Sequence, residues 1–384
     1  MMSYSLAPQF PVLPDYQGQC ISNVVPALLG PPEMCDWLPA PVTEATQVVI
    51  LLADGMGWEQ LQERIHLTPT LAAMQGGPIT TVAPTTTTTA LTSLVTGAAP
   101  GAHGLIGYQL YTQGEVLNTL RWTVKGGDKD ALKMFVPEQI QPLPAFLGRR
   151  VPVISRSEFH DSGFSRAHLD GLGHTGYKLT STIGVETKRL VRDGESLVYV
   201  YYDGPDRIGH EYGLAEHLDA EYMATDQLVA QLLGLLPPTT ALLVLADHGQ
   251  VEVADNKIEL SSEVLGLVSV TSGEARFRWL HARSGRSKAL LETAQALYGH
   301  YGLVVTKEQV VDEGWFGPYV SPEACRRMGD VALVPSEPVA FVVPKEKKPK
   351  KEHKEKSFEL IGRHGSLTSA EVFVPCLAAF GVGS

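Results

Sequence analysis

The chain of 384 residues is short of positive charge and of long apolar runs. Its 31 Lys and Arg residues face 42 Asp and Glu residues, so the formal net charge is −11. This balance argues against nonspecific binding to nucleic acid, which needs a basic surface. No apolar run approaches the ~20 residues that a membrane-spanning helix requires. The first residues also lack a basic segment followed by an apolar one, so we expect neither a signal peptide nor a membrane partner.

Cysteine is also scarce, with four residues and no CxxC pair among them. So few cysteines in so long a chain do not make a disulfide framework. We therefore expect reduced thiols and a cytoplasmic protein. The content of 44 % hydrophobic and 19 % charged residues is typical of a globular protein with ample material for a core. The oligomeric state is unknown at this level.

Four continuous apolar runs predict strands that are buried on both faces, as in a parallel sheet. They lie near residues 47–53, 152–155, 196–203 and 240–246. Between the last two, apolar residues recur at helical spacing over residues 215–236. Strand, helix and strand in this order form a βαβ unit. We therefore predict an α/β fold with a large, mostly parallel sheet flanked by helices.

The other segments suggest how the chain is divided. Residues 1–45 are rich in proline and are predicted to form an N-terminal arm packed on the body. Residues 262–345 mix short β-like runs with one helical stretch, which predicts a smaller α+β subdomain inserted into the catalytic core of residues 1–261 and 346–384. The run KEKKPKKEHKEK at residues 345–356 predicts a solvated, charged loop, with a tether for nucleic acid as the alternative.

Residue types that bind metals follow three of the predicted strands. Asp54 follows the first strand, Asp206 the third, and Asp247 with His248 the last, while His210 lies four residues after Asp206. A single aspartate after a strand is usually a helix cap or a turn residue. However, ligands of an open α/β sheet bind beyond the carboxyl ends of its strands, where these side chains would meet. Carboxylate and imidazole ligands suit zinc, with manganese or iron as alternatives. Five ligands exceed one tetrahedral site with an open position, so we predict two metals.

A run of five threonines, Thr85–Thr89, leads into a helix-like stretch. Such a run can serve simply as a helix cap and a loop. At a helix N-terminus, one threonine can instead face an anion that the backbone N–H groups bind. Its hydroxyl would then be activated by metal coordination rather than by a base.

Taken together, these motifs resemble the alkaline phosphatase superfamily, and within it the nucleotide pyrophosphatase/phosphodiesterase family. The matching pieces are ADGMG, PTTTTTALTSLVTG, PDRIGHEYG, ADHG and RHGS, in the family's order from residue 53 to 366. The resemblance implies two zinc ions. One is held by Asp54, Asp247 and His248, and the other by Asp206, His210 and His364.

The resemblance also implies a function: hydrolysis of phosphate diesters or nucleotide pyrophosphates, with a small phosphorylated substrate and a phosphothreonine intermediate. The family's nucleophile position falls on Thr87, with Thr86 or Thr88 as the next choices. The chain departs from the family where Thr88, Thr89 and Ala90 replace an aromatic residue, proline and asparagine. It departs again at Tyr108, which replaces an asparagine that binds a phosphate oxygen. Tyr108 is a candidate substrate-binding residue, with a packing role as the alternative.

Other activities stay open at this level. A phosphomonoesterase or phosphonate hydrolase of the same superfamily would use Lys or Arg at the third phosphate oxygen, and Arg121 and Lys125 are the candidates. A phosphomutase or transferase would need a cap, which residues 262–345 could supply. A non-catalytic metal-binding relative is less favoured because the ligand set is complete.

Overall fold

The computed structural model describes residues 9–31, 34–124, 131–344 and 360–383. Lys125 and the charged run at 345–356 therefore lie outside the described residues. Within the described ranges, no helix combines the length and apolar character needed to cross a membrane. Cys20 and Cys376 are buried in the core and form no disulfide.

The strands of these ranges are, in chain order, β1 (Gln47–Ala53), β2 (Gln75–Thr80), β3 (Gln109–Thr112), β4 (Glu115–Asn118), β5 (Thr123–Val124), β6 (Val153–Arg156), β7 (His174–Tyr177), β8 (Leu197–Tyr202), β9 (Thr240–Leu245), β10 (Val251–Glu252), β11 (Lys257–Glu259), β12 (Val268–Glu274), β13 (Phe277–Ala282), β14 (Gly302–Thr306), β15 (Val331–Pro335), β16 (Ala340–Val342), β17 (Gly362–Arg363) and β18 (Phe373–Phe380).

The α-helices of the same ranges are α1 (Val24–Leu29), α2 (Ala40–Glu44), α3 (Trp58–Glu63), α4 (Pro69–Ala72), α5 (Thr87–Thr96), α6 (Pro100–His103), α7 (Ala131–Met134), α8 (Pro137–Ile140), α9 (Gly163–His168), α10 (Ile183–Arg192), α11 (Gly204–Tyr212), α12 (Glu216–Leu235), α13 (Ser262–Leu267), α14 (Ser287–Tyr298), α15 (Lys307–Asp312), α16 (Pro322–Arg327) and α17 (Ser369–Val372).

The central sheet has seven strands in the order β2-β18-β9-β1-β8-β6-β7. β1 pairs in parallel with β8 and β9, and β6 pairs in parallel with β8 and β7. Only β18 runs antiparallel to its neighbours, β9 and β2. The predicted α/β class with a large, mostly parallel sheet flanked by helices is confirmed. The predicted bounds agree with β1. β9 ends one residue earlier than predicted, β6 lies one residue later, and β8 is one residue shorter at each end.

The strands that flank β1 end together at one edge of the sheet. Ala53 lies opposite Tyr202 of β8, and Leu52 lies opposite Leu245 of β9. Every residue of β9, and every residue of β1 after the first, is buried, because helices cover both faces. The polar residues that follow these strands therefore emerge side by side.

A second sheet, antiparallel and ordered β12-β13-β15-β14, lies within the stretch for which the sequence predicts an inserted subdomain. Alternate side chains of β13 serve two cores, since successive residues of a strand point to opposite faces. Phe277 and Trp279 pack in the main core, whereas Leu280 packs with Leu290 and Leu333 in a smaller cluster. The division of the chain into domains stays a prediction.

Two further segments border the functional site. The proline-rich start of the chain contains the short helices α1 and α2, where the sequence predicts an arm without periodicity. Val24 and Val25 of α1 are buried in the main core, which supplies the apolar contacts that so short a helix needs. Between α6 and α7, β3, β4 and β5 form a three-stranded antiparallel sheet.

Candidate metal centre and active site

The edge where β1, β8 and β9 end brings the three predicted carboxylates together. The Asp206 N–H donates to the Asp54 carbonyl at 2.9 Å, and the Gly55 N–H donates to Asp247 Oδ1 at 3.0 Å. Gly55 has φ +72°, and a Cβ there would lie 2.8 Å from the Asp206 Cα. Glycine therefore permits both the turn after β1 and this close backbone approach.

One group of potential ligands surrounds His248. Its Nε2 lies 3.5 Å from Asp54 Oδ1, 3.3 Å from Asp247 Oδ2 and 3.2 Å from Thr87 Oγ1. Asp54, Asp206 and His248 also offer donor atoms that all lie within 4.8 Å of one another. These side chains come from three strand ends and one helix start, so only the folded sheet assembles them.

A second group consists of Asp206, His210 and His364, whose donor atoms likewise lie within 4.8 Å of one another. His210 Nε2 is 3.3 Å from Asp206 Oδ1 and 3.3 Å from His364 Nε2. Asp206 and His210 lie on one face of α11, while His364 arrives from the segment after β17. The rings of His248 and His364 stack with centroids 3.6 Å apart, so the two groups adjoin.

Backbone carbonyl oxygens hold the Nδ1 atoms of all three histidines. The distances are 2.7, 3.2 and 2.7 Å for His210 with Gly362, His248 with Gly249, and His364 with Thr85. A carbonyl oxygen accepts but cannot donate, so Nδ1 carries the hydrogen and Nε2 keeps a lone pair. The lone pairs of two facing Nε2 atoms repel each other unless a cation or a proton lies between them. The imidazoles are therefore arranged as metal ligands usually are.

The convergence of three carboxyl groups, two of them buried and one partly buried, also fits a cation. Asp54 is 2 % exposed and Asp247 is 0 % exposed. Among the described residues, neither Asp54 Oδ1 nor Asp247 Oδ2 has a hydrogen-bond partner. Burial, and then the charge of Asp247, raises the pKa of Asp54 well above its usual range, and burial also raises the pKa of Asp206 and of Asp247. A bound cation would reverse these shifts, since it favours ionised carboxylates and neutral imidazoles. The donor set fits metal ions.

Two neighbouring side chains orient the carboxylates and had not been singled out from the sequence. The Tyr201 hydroxyl donates a short hydrogen bond to Asp54 Oδ2, and Gln250 Nε2 donates to Asp206 Oδ1 at 2.6 Å. Gln250 follows the DHG motif directly, and this position is a signal that could have found it. Tyr201 lies inside an apolar strand, which carries no such signal.

The threonine run lies at the N-terminus of α5, which begins at Thr87 with Thr86 as its extended N-cap residue. The Thr87 hydroxyl contacts His248, whereas the Thr88 hydroxyl accepts from Thr119 Oγ1 at 3.1 Å. Thr87 thus lies beside the first group of ligands.

Thr85 has a separate role in this arrangement. Its Oγ1 accepts from the Gly365 N–H and donates to the Ser366 carbonyl, both at 2.9 Å, and its own carbonyl lies beside His364 Nδ1. Thr85 therefore positions the segment that carries His364.

A cavity of about 960 Å³ opens at the site. Its wall includes Thr86, Thr87, Thr88, Asp206, His210 and His364, together with residues of β3–β5 and of the second sheet. Tyr108 is half-buried on this wall and, histidines aside, is its only aromatic residue among those that the structure describes. The exposed Arg121 also lines the cavity, at the end of the described β3–β5 segment.

The chain is similar to known proteins in sequence and in fold. The family model for type I phosphodiesterase / nucleotide pyrophosphatase matches residues 48–367. Among solved structures, murine ectonucleotide pyrophosphatase / phosphodiesterase 5 is 17 % identical, with 88 % of each chain covered and a TM-score of 0.61. An inactive threonine-to-alanine variant of that protein was solved in complex with AMP.

A phosphonoacetate hydrolase from Sinorhizobium meliloti 1021, solved with phosphonoacetate, is 18 % identical, with a TM-score of 0.60 and 87 % of this chain and 90 % of that chain covered. At such identities the likeness to solved structures shows a shared fold. No curated protein sequence matches this chain at a significant level.

Proposed function

The chain belongs to the type I phosphodiesterase / nucleotide pyrophosphatase family, and on this premise we propose that it is a metal-dependent hydrolase of phosphate diesters or nucleotide pyrophosphates. The observation that carries the proposal is the contact of 3.2 Å between Thr87 Oγ1 and His248 Nε2 at the start of α5, beside two adjoining groups of potential metal ligands. A hydroxyl, a helix N-terminus and a set of cation ligands at one cavity suit phosphoryl transfer.

We assign two metal ions to the six ligands. Asp54, Asp247 and His248 would hold one, and Asp206, His210 and His364 would hold the other. Asp206 is within reach of both groups, since it belongs to each of the two sets of close donors. Carboxylate and imidazole ligands suit zinc, with manganese or iron as alternatives. When bound, such ions supply positive charge that lowers the pKa of a hydroxyl or a water and stabilises charge on phosphoryl oxygens.

In the proposed reaction, Thr87 Oγ1 attacks phosphorus and loses its proton to solvent in the cavity. The bond to the leaving oxygen breaks, that oxygen takes a proton from water, and a phosphothreonine remains. A water molecule then breaks the bond between phosphorus and Thr87 Oγ1 and restores the threonine. The first N–H groups of α5 and the Tyr108 hydroxyl would donate to phosphoryl oxygens during both steps.

A second candidate function is hydrolysis of a phosphonate or a phosphate monoester. Two observations favour it: the cavity wall has Tyr108 as its single non-histidine aromatic residue among the described positions, and a phosphonoacetate hydrolase shares the fold. A pocket that stacks a nucleobase normally offers more aromatic surface.

A hydrolysis panel with zinc-loaded protein tests both candidates. We expect bis-p-nitrophenyl phosphate or a p-nitrophenyl nucleotide ester to be cleaved faster than p-nitrophenyl phosphate. A preference for p-nitrophenyl phosphate, or release of phosphate from phosphonoacetate, would select the second candidate. If protein that retains two metal ions cleaves none of these compounds, the proposed function is wrong.

A further inference from the structure

The second sheet contributes a buried acid and a buried base to the cavity wall. Glu274 ends β12 and Arg278 lies in β13. Each residue is only 8 % exposed, and both line the cavity. Neither residue belongs to the metal-ligand groups or to the motifs that identify the family.

Glu274 lies directly beside the site. A Cβ on Gly365, the residue after His364, would lie 2.8 Å from Glu274 Cγ. The Glu274 carboxyl also lies beside the side chain of Thr86, the residue before Thr87. The acid therefore lies between the start of α5 and the segment that carries the last metal ligand.

Arg278 has donors that the protein does not fully use. Its Nη1 donates to Gln109 Oε1 at 3.2 Å and to the Ser272 carbonyl at 3.3 Å, and its Nη2 donates to the Phe341 carbonyl at 3.3 Å. These bonds are long for a guanidinium, which prefers shorter, paired contacts with an anion. Arg278 Nε and Glu274 Oε1 have no hydrogen-bond partner among the described residues.

The guanidinium of Arg278 is buried, and its three hydrogen-bond partners are neutral oxygens. Burial lowers the pKa of Arg278 only to about 10, so the guanidinium stays charged. A buried guanidinium with an unused N–H, held by long bonds to neutral oxygens, is suited to bind an anionic oxygen group.

We propose that Arg278, with Glu274 beside it, forms a subsite for a second anionic group of the substrate, in addition to the phosphoryl group that reacts. The second group is a carboxylate or a further phosphate, since both offer two oxygens to a guanidinium fork. This inference rests on the proposed function for the identity of the reacting group, and it narrows the substrate to small molecules that carry two anionic groups.

Calorimetric binding of three matched phosphonates to the zinc-loaded protein tests the subsite. Propylphosphonate has one anionic group, 3-phosphonopropionate adds a carboxylate, and propane-1,3-diphosphonate adds a second phosphorus group. We expect at least one of the two longer anions to bind about 10-fold or more tightly than propylphosphonate, as a charge-assisted pair allows. If 3-phosphonopropionate binds more tightly, the second anionic group of the substrate is a carboxylate; if propane-1,3-diphosphonate does, it is a phosphate. The zinc content of the protein, measured before and after binding, shows whether the ligand has removed metal.

Substitutions then assign the preference to Arg278. Arg278→Gln should remove the preference and leave propylphosphonate binding within about threefold, whereas Arg278→Lys should keep part of it, because the charge stays but the fork is lost. Arg283→Gln is the matched control, since it removes the same charge from an exposed position outside the cavity wall. It should leave all three affinities within about threefold of wild type, as expected of a screened surface charge.

Two results would overturn the subsite: equal affinity of the wild type for all three phosphonates, or an Arg278→Gln variant that keeps its zinc and the full preference. Equal affinity of the wild type overturns the subsite without any variant, and Arg278→Lys, which should keep only part of the preference, tests the assignment if Arg278→Gln does not fold. Binding is also measured apart from hydrolysis. Protein that prefers a dianionic probe but cleaves no substrate would retain the subsite and lose only the proposed function.

Discussion

Arg276 and Glu371 form a fully buried, bidentate ion pair that joins the second sheet to the segment after His364. The two N–H···O distances are both 2.8 Å, and neither side chain is exposed. Glu371 also accepts from the Ser366 N–H at 3.0 Å and from Thr368 Oγ1 at 2.6 Å. One pair therefore connects the sheet that carries Arg278 with the segment that presents the last predicted metal ligand.

Breaking this pair should destabilise the protein strongly. Arg276→Met leaves the Glu371 carboxylate buried without its partner, which costs about 3–5 kcal/mol in comparable cases. Denaturant unfolding measures the loss. Arg326→Met is the control, because the side chains of Arg326 and its partner Glu323 are 68 % and 60 % exposed, and such pairs contribute about 1 kcal/mol or less. Similar losses in the two variants would contradict the role assigned to the buried pair.

Thr87→Ala should abolish catalysis without removing the metals. We expect kcat to fall by at least ~10³-fold because the covalent route is lost. Steady-state kinetics measure kcat, and metal analysis of the same samples measures how much metal the variant retains.

The threonine run supplies its own control for this prediction. Thr89 is also buried in α5, and its hydroxyl has no hydrogen-bond partner among the described residues. Thr89→Ala should therefore stay within about 10-fold of wild type. A Thr87→Ala variant with normal turnover, together with an inactive Thr86→Ala or Thr88→Ala variant, would move the nucleophile to that neighbour.

Removal of metal should lower both activity and stability. Chelation would leave the buried carboxyl groups of Asp54 and Asp247, and the partly buried carboxyl group of Asp206, without a cation. We expect hydrolysis to stop and the melting temperature to fall, while zinc restores both. A ligand present at 100 times its Kd adds about 2.7 kcal/mol to the free energy of unfolding, so the melting temperature should rise with zinc concentration. Identical melting curves in zinc and in EDTA would contradict a metal centre at these residues.

Glu274 should make stability depend on pH in a defined direction. Burial raises its pKa from 4.5 to about 8, so the folded state holds a proton that the unfolded chain has already released. The contribution of Glu274 to stability therefore declines as the pH rises from about 4.5 to about 8 and then levels off. Glu274→Gln removes this dependence. The free energy of unfolding of the variant relative to wild type should rise by a few kcal/mol between pH 5 and pH 9.

Denaturant unfolding of metal-free protein at several pH values tests this prediction, because bound cations would alter the pKa. The exposed Glu263 provides the comparison, and Glu263→Gln should change the free energy of unfolding by no more than about 0.5 kcal/mol. A Glu274→Gln variant whose difference from wild type is constant between pH 5 and pH 9 would show that the Glu274 carboxyl does not titrate in this range.

The sequence by itself determined the parallel sheet and much of the site. Strands covered on both faces are continuous apolar runs, so β1 and β9 were visible as such at residues 47–53 and 240–246. Asp54 and Asp247 were visible because they follow these runs directly, and Asp206 because it follows the apolar run at residues 196–203. Parallel strands end at one edge of the sheet, so these side chains were expected to meet. His364 was found only through the family resemblance, because a lone histidine in a loop has no local pattern.

Tertiary structure alone decided what surrounds the metal ligands. Tyr201, Glu274 and Arg278 lie in strands, and their residue types do not show which way each side chain points or what packs opposite to it. Arg278 reaches the cavity because Phe277 and Trp279, on the other face of the same strand, are buried in the main core. Local patterns record which residues must be buried, but contacts between distant segments depend on how whole sheets pack. Apart from His364, the candidate metal ligands could therefore be predicted from the sequence, whereas the side chains proposed to select the substrate could not.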